Sequence, residues 1–484
     1  MERMNALDAE FLHLEDGIGH MHIGGVCVFP DPPPSSDDIA RMIAAKLHLI
    51  PRYRQRVRSV PFELGRPVWV DDPHFNLAYH LPHTALPAPG DDTAFCRLMG
   101  RIMSQPLDRD RPLWEAWLVE GLEGRQWALI FKIHHCMVDG IAGVELLRVL
   151  LDLDADTKVA VPEPWEPRPE PYGAAKVLDA WGGLASNVIA TARGLPRAIA
   201  HPAETLRSAV GTARGLVRFA GDLGATPPLS IEGSIGPHRT WAHSSASLGD
   251  VRTIRSVFGG TVNDVVLAAV SGGYRDLLLS RGEDADRALV RSMVPVSTRH
   301  DDGQGVPDNR VSILLYDLPV QVADPVERLE VVHEQMTELK ASHMAQAGET
   351  VTAIGNLAPP MVVGTVSRMV VRALHRLPQR SINTVTTNVP GPQFPLYCLG
   401  REMLEYRPFV PISHGVRVST AILSYNGRLF FGITGDYSTA PDVAVLASAA
   451  SGGIEQLRER ALPRLGSSRP RKSRSGTTRP ETRG

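Results

Sequence analysis

Between Val161 and Tyr172 the chain reads VPEPWEPRPEPY, five prolines in twelve residues. Each proline fixes its own φ and offers no amide donor, so neither an α-helix nor a central strand can run through this stretch. It reads as a stiff, extended connector. The 484 residues therefore divide into bodies on either side of it, and that length suits two or three domains. With 43% hydrophobic and 21% charged residues, the chain can build sizeable cores and is not disordered as a whole.

Both structural periods occur around the connector. Asp38 to Leu47 reads as a helix and Trp127 to Ile133 (WALIFKI) as a buried strand. Gly140 to Leu153 places Val144, Leu147 and Leu151 at helical spacing. After the connector, Val177, Trp181, Leu184 and Val188 share one helix face, and Leu206, Val210, Ala213 and Val217 share another. Val262 to Leu279 reads as a helix, while Val311 to Leu318 and Arg428 to Ile433 read as strands. Asn426-Gly427 predicts a hairpin turn, because both positions tolerate positive φ. The expected division is 1–160 and 233–465 as two mixed α/β halves. A linker and helical crossing spans 161–232, and 466–484 is a disordered basic tail.

The charge balance, 51 basic against 53 acidic residues for a formal net of −2, excludes a nucleic-acid binder driven by overall field. Cys27, Cys96, Cys136 and Cys398 are far apart with no CxxC pair, which argues against a disulfide framework or a cysteine-rich zinc site. Early acids (Glu2, Asp8, Glu10, Glu15, Asp16) do not resemble a secretory signal, and no apolar run of 18 residues offers a spanning helix. The expectation is a protein of the reducing cytosol with room for peripheral membrane contact. Lys176 to Arg218, with apolar stripes and basic flanks, fits a membrane interface or an ordinary amphipathic packing. Met361, Val362, Val366, Met369 and Val370 fit an apolar channel or, as readily, a core.

Chemistry concentrates at His134-His135-Cys136-Met137-Val138-Asp139-Gly140, where the buried strand turns toward a helix. A general base needs a neutral imidazole held in one orientation. His135 has Asp139 four residues on to steady the loop or the ring, and Gly140 permits a tight turn. A buried histidine pair is also common in ordinary cores, but the pattern HHxxxDG arises by chance in roughly a few chains per thousand. No metal is expected, since adjacent histidines on extended backbone point apart and no HExxH or cysteine pair adds ligands. The G-x-S-x-G elbow, P-loop and G-x-G-x-x-G are all missing. What remains is a histidine base without an obvious protein nucleophile, which suits direct transfer to a substrate hydroxyl.

HHxxxDG resembles the motif of chloramphenicol acetyltransferase-related acyltransferases and of peptide-synthetase condensation domains. Met4 to Asp16 (MNALDAEFLHLED) and Met21-His22-Ile23-Gly24-Gly25 narrow the resemblance to the bacterial wax ester synthase/diacylglycerol acyltransferase family. So do Pro112-Leu113-Trp114-Glu115, Gly236-Pro237-His238-Arg239, Asn263 to Ala268 (NDVVLA), Pro295 to Arg299 (PVSTR), Asn388 to Pro392 (NVPGP) and Ser424 to Gly427 (SYNG). These blocks run in order from residue 4 to about 436.

The resemblance implies two chloramphenicol-acetyltransferase-like, condensation-domain-like α/β halves of mixed sheet, with the active site in a tunnel between them. It implies transfer of a long acyl group from acyl-CoA, a substrate rather than a cofactor, to diacylglycerol or a fatty alcohol; a carrier-bound donor is the condensation-type alternative. By matching position His135 would be the base, His134 its neighbour in the catalytic motif and Asp139 its structural partner. Glu15, Trp114 and Asn263 fall on other sensitive positions. Asn263 fits an oxyanion donor, Asp264 a helix N-cap, and Trp114 a core or tunnel-wall aromatic. Arg299 fits a pair with Asp139, a surface salt bridge or a CoA-phosphate contact. Asp308-Asn309 stands where the family is expected to show Gly-Asn, a departure confined to that loop.

Overall fold

The computed structural model describes residues 2–61, 66–137, 147–170, 227–297, 311–341 and 382–467. In the N-terminal half the main sheet takes β1 (His22–Pro30), β2 (His83–Ala85), β3 (Trp114–Leu122) and β4 (Gln126–His134), beside a small sheet of Glu2–Arg3, Val68–Asp71 and Gln55–Arg58. Helices α1 (Ala6–Leu14), α2 (Ser36–Lys46) and α3 (Asp92–Ser104) accompany them. The predicted helix at Asp38 starts earlier because Ser35 and Asp38 form a reciprocal capping box. The predicted strand Trp127–Ile133 is the centre of β4.

The C-terminal half contains β5 (Arg239–Ser247), β6 (Val290–Ser297), β7 (Val311–Leu318), β8 (Thr384–Pro390), β9 (Glu405–Phe409), β10 (Val418–Tyr425) and β11 (Arg428–Asp436). Helices α4 (Leu248–Phe258), α5 (Val262–Ser280), α6 (Pro325–Ala341) and α7 (Val443–Ser467) pack with them. Six strands form one mixed sheet, β7-β6-β8-β10-β11-β5, in which β8 runs parallel to both neighbours. The predicted turn joins β10 to β11, with Asn426 at φ 42° and Gly427 at φ 80°.

One strand crosses between halves. The N-terminal sheet has the order β9-β1-β4-β3-β2, so Glu405–Phe409 pairs with β1 although it lies deep in the C-terminal sequence. The boundary in space therefore differs from the one read along the chain. The crossing gives the halves a shared core in which Phe131, Ile133 and Trp114 meet Tyr406, Leu423 and Phe430. On the other face of β1 and β4, α3 packs with Met99, Ile102 and Met103 against Val26 and Ile130.

The proline-rich segment has no helix or strand through residue 170, as its prolines require. It is not a free spacer. Arg168 donates through its backbone N and guanidinium to Asp71 at 3.0–3.2 Å, and Trp165 lies under the Arg54 guanidinium at 4.6 Å. The stripes at 177–188 and 206–217, the apolar positions 361–370, Val144 and the tail from 468 lie outside the described residues. Among the described residues, no helix is long and apolar enough to cross a membrane.

Candidate active site

Strand β4 ends at His134, and His135 to Met137 form a single 3₁₀ turn. Backbone bonds tie this corner down: His134 N donates to Leu113 O at 2.9 Å and His135 N to Met21 O at 2.8 Å. The half-buried His135 ring stacks on Phe11 of α1, centroids 3.9 Å apart at 24°. Helix α1 is placed for this by its Asn5 cap, whose side chain accepts from Asp8 N at 2.7 Å. Cys136 beside it is buried, and burial pushes its thiol pKa well up. A protonated, buried thiol is a poor nucleophile.

His134 occupies a different environment. It is 1% exposed, and its Nδ1 accepts from Cys136 N at 3.1 Å. The ring proton is thus on Nε2, which faces Glu15 Oε2 at 3.4 Å. The Glu15 side chain, 8% exposed, also meets His20 Nδ1 at 3.6 Å, His22 Nε2 at 3.4 Å and Arg109 Nη2 at 2.5 Å. Burial by itself would raise the Glu15 pKa. The imidazoles, His134 foremost, outweigh it and hold the carboxyl well below the usual carboxylate range. Burial lowers the His22 pKa to about 3, against the pull of Glu15, so this ring is neutral.

Lys132, two residues before His134, is fully buried and donates to Ile102 O at 3.0 Å and Gln105 O at 2.6 Å, at the end of α3. Burial lowers its pKa. Both halves hold the loop after Glu15. Asp16 Oδ1 accepts from Ile18 N (2.8 Å) and Gly19 N (2.6 Å), His414 meets Asp16 Oδ2 at 3.0 Å, and Arg239 donates to Ile18 O.

Asn263 lies in the first turn of α5, where its Oδ1 accepts from Asn388 Nδ2 at 3.1 Å. That leaves its own NH₂ to donate elsewhere. The N-cap expected at Asp264 is instead Thr261, with Asp264 as its reciprocal partner in a capping box. The reason is spacing: Thr261 and Asp264 are the T-x-x-D pair that closes a first turn. Trp114 is buried in the core, with Nε1 donating to Tyr53 O at 2.9 Å and its ring stacked on His80 at 4.6 Å. Asp139, Gly140 and Arg299 lie outside the described residues.

Residues 4–266 match the wax ester synthase/diacylglycerol acyltransferase catalytic domain, and residues 308–458 the C-terminal domain of the same proteins. The chain belongs to this family. It is an acyltransferase. A Mycobacterium tuberculosis relative named "Probable diacyglycerol O-acyltransferase tgs1" is 37% identical over 467 residues, 94% of this chain and 96% of the relative. The wax ester synthase/diacylglycerol acyltransferase from Marinobacter aquaeolei VT8 superposes with a TM-score of 0.66 at 26% identity, covering 95% and 99% of the two chains. The first condensation domain of the calcium-dependent antibiotic synthetase shares the fold, with a TM-score of 0.54 at 17% identity and 95% and 96% coverage. The two-halved acetyltransferase-like architecture expected from the motifs is the one observed.

In the acyltransferase, sequence reasoning singled out Glu15 and His134 but missed His20, Arg109 and Lys132 and gave His22 no role. Only His22 carried a signal, through its place in Met21 to Gly25. Two pairs of motifs meet in space: NDVVLA with NVPGP through Asn263 and Asn388, and NVPGP with SYNG through Gly391 N donating to Ser424 Oγ at 3.2 Å. Among the described residues, two clusters bring metal-ligating atoms within 4.8 Å of one another, Glu15 with His20 and His22, and Asp92 with Cys96 and His243.

Proposed function

We propose that this acyltransferase moves a long acyl group from acyl-CoA to the free hydroxyl of diacylglycerol, forming triacylglycerol, with His135 as general base. The observation that carries the reading is the contrast within the histidine pair. His134 is sealed, its Nδ1 accepting from Cys136 N and its Nε2 facing Glu15 Oε2 at 3.4 Å, whereas His135 is half-buried at the strand end. His134 then acts as a positioning residue that fixes the corner from which His135 works.

In the proposed step, His135 takes the proton of the acceptor hydroxyl as its oxygen attacks the thioester carbonyl. The C–S bond of the tetrahedral intermediate breaks, the ester forms, and the imidazolium returns its proton to the CoA thiolate. No acyl-enzyme forms, in keeping with the buried, protonated Cys136. General-base help of this kind contributes roughly 10²–10⁴-fold, and alignment of the two substrates adds to it. We assign the NH₂ of Asn263 as the donor toward the developing oxyanion, and Asp139 as the group that steadies the His135 loop. Diacylglycerol resides in lipid, so we place the reaction at a membrane or droplet surface.

The name of the Marinobacter neighbour covers both acceptors, and a fatty alcohol offered to the same base would give a wax ester. The test is CoA release from palmitoyl-CoA with diacylglycerol, a long-chain alcohol or no acceptor. We expect release that depends on diacylglycerol and falls at least 10²-fold in His135→Ala at unchanged melting temperature. Retained activity in that variant overturns the assignment, and faster release with the alcohol moves it to wax ester synthesis.

A further inference from the structure

Glu15 uses its two carboxylate oxygens differently. Oε2 accepts two bonds from Arg109, at 2.5 and 3.2 Å, and faces the Nε2–H of His134. Among the described residues, Oε1 has no hydrogen-bond partner, although it is buried. It faces His20 Nδ1 at 3.6 Å and His22 Nε2 at 3.4 Å. Among the described residues, neither ring nitrogen of His22 has a hydrogen-bond partner, and that residue is 1% exposed. A buried oxygen and a buried nitrogen thus aim at each other without bonding, an arrangement that costs free energy unless something lies between them.

The separations suit a cation. With zinc–ligand bonds of 2.0–2.1 Å, the edge of a coordination tetrahedron is about 3.3 Å. The observed 3.4 and 3.6 Å are near that edge and well beyond an ordinary hydrogen bond of about 2.9 Å. All three candidate ligand atoms lie within 4.8 Å of one another. His20 and His22 are two residues apart and their rings stack, centroids 5.2 Å apart at 15°, so both side chains face the same side. Arg109 and His134 on Oε2 are the kind of outer partners that orient a ligating carboxylate. His134 cannot itself ligate through Nε2, because its Nδ1 accepts from Cys136 N and the proton is on Nε2.

We propose that Glu15 Oε1, His20 Nδ1 and His22 Nε2 bind one zinc ion, with water as the fourth ligand. Two imidazoles and a carboxylate are a borderline donor set that suits zinc. Its role is structural. It joins the end of α1 to the start of β1 and so holds Phe11 in its stack on His135. The cluster of Asp92, Cys96 and His243 does not compete, because the Arg407 guanidinium already occupies it, 2.8 Å from His243 Nε2 and 3.4 Å from Asp92 Oδ1.

The experiment is zinc content of the full chain by mass spectrometry after loading with Zn²⁺ and exhaustive dialysis, with thermal melting before and after chelation. We expect one zinc per chain, a melting temperature lowered by roughly 5 °C on chelation, and loss of at least 90% of the zinc in His20→Ala and in His22→Gln. His243→Ala should keep it. Less than a tenth of an ion per wild-type chain with no thermal response to Zn²⁺, or zinc that survives both histidine substitutions, or zinc lost only in His243→Ala, each overturns the proposal. The wild-type measurement is decisive even if a variant fails to fold.

Discussion

Replacing Gly24 by alanine should wedge β1 away from β4. A Cβ at this position would be 2.0 Å from Phe131 O, 3.2 Å from Phe131 C and 2.8 Å from Met103 Cε. The first contact is backbone, so no side-chain rotation relieves it. Bringing carbon and oxygen back to van der Waals distance requires the strands to part by about 1 Å. Gly24 is paired with Lys132, two rungs from the His22–His134 pair, so the strain falls beside the Glu15 cage. Overpacking of this kind costs about 1–3 kcal/mol, and a weakened ladder bond adds about 1 kcal/mol. At about 2–4 °C per kcal/mol for a domain of this size, the melting temperature should drop by roughly 5–15 °C. Acyltransfer should fall with it, because the displaced strand carries His22. Gly17→Ala is the control: no described residue is within 4 Å of its Cβ, and its shift should stay within about 1 °C. A Gly24→Ala enzyme that melts with the wild type and turns over normally would refute the reasoning.

Gly452 lies inside α7 with no described residue within 4 Å of a built Cβ, so Gly452→Ala should raise stability by about 0.5–1 kcal/mol in thermal or denaturant unfolding. Trp114→Phe leaves Tyr53 O without its donor, and should cost about 1–3 kcal/mol while KM for acyl-CoA changes less than twofold; a raised KM at unchanged stability would place the ring on the tunnel wall. The Asp71 carboxyl is lowered to about 2 from 3.8, burial opposing and the Arg168 and Gln55 bonds prevailing. A depressed carboxyl stabilises the fold above its unfolded pKa and loses that contribution as pH falls toward 2. Discounted for the exposed Arg168, the contribution is about 1–2 kcal/mol. Asp71→Asn should therefore be less stable than wild type at pH 7, with the gap closing in acid unfolding between about pH 4 and pH 2.

The legible parts of the fold were those set by near neighbours. WALIFKI is an apolar run bounded by polar residues, and it became β4. Asn426-Gly427 tolerates two positive φ angles in succession, and it became the β10–β11 turn. Local signals also misplace details: Asp264 looked like a cap because it precedes an apolar run, while Thr261 three residues earlier holds that position. The motif histidines were visible as a pair, but their division into a sealed ring and a half-buried one was not, since it depends on which backbone and side chains each one meets.

Residue order alone determined the mixed α/β character, the lack of helix or strand in the proline-rich segment through residue 170 and the corner that carries His135, because proline geometry, period and turn preference act over a few residues. Tertiary structure decided that Glu405–Phe409 crosses to the other sheet and that Asp71 pins Arg168. It also decided that Glu15 gathers His20, His22, His134 and Arg109. These contacts join positions up to several hundred residues apart, and they form only where burying apolar surface from both halves brings distant strands into register.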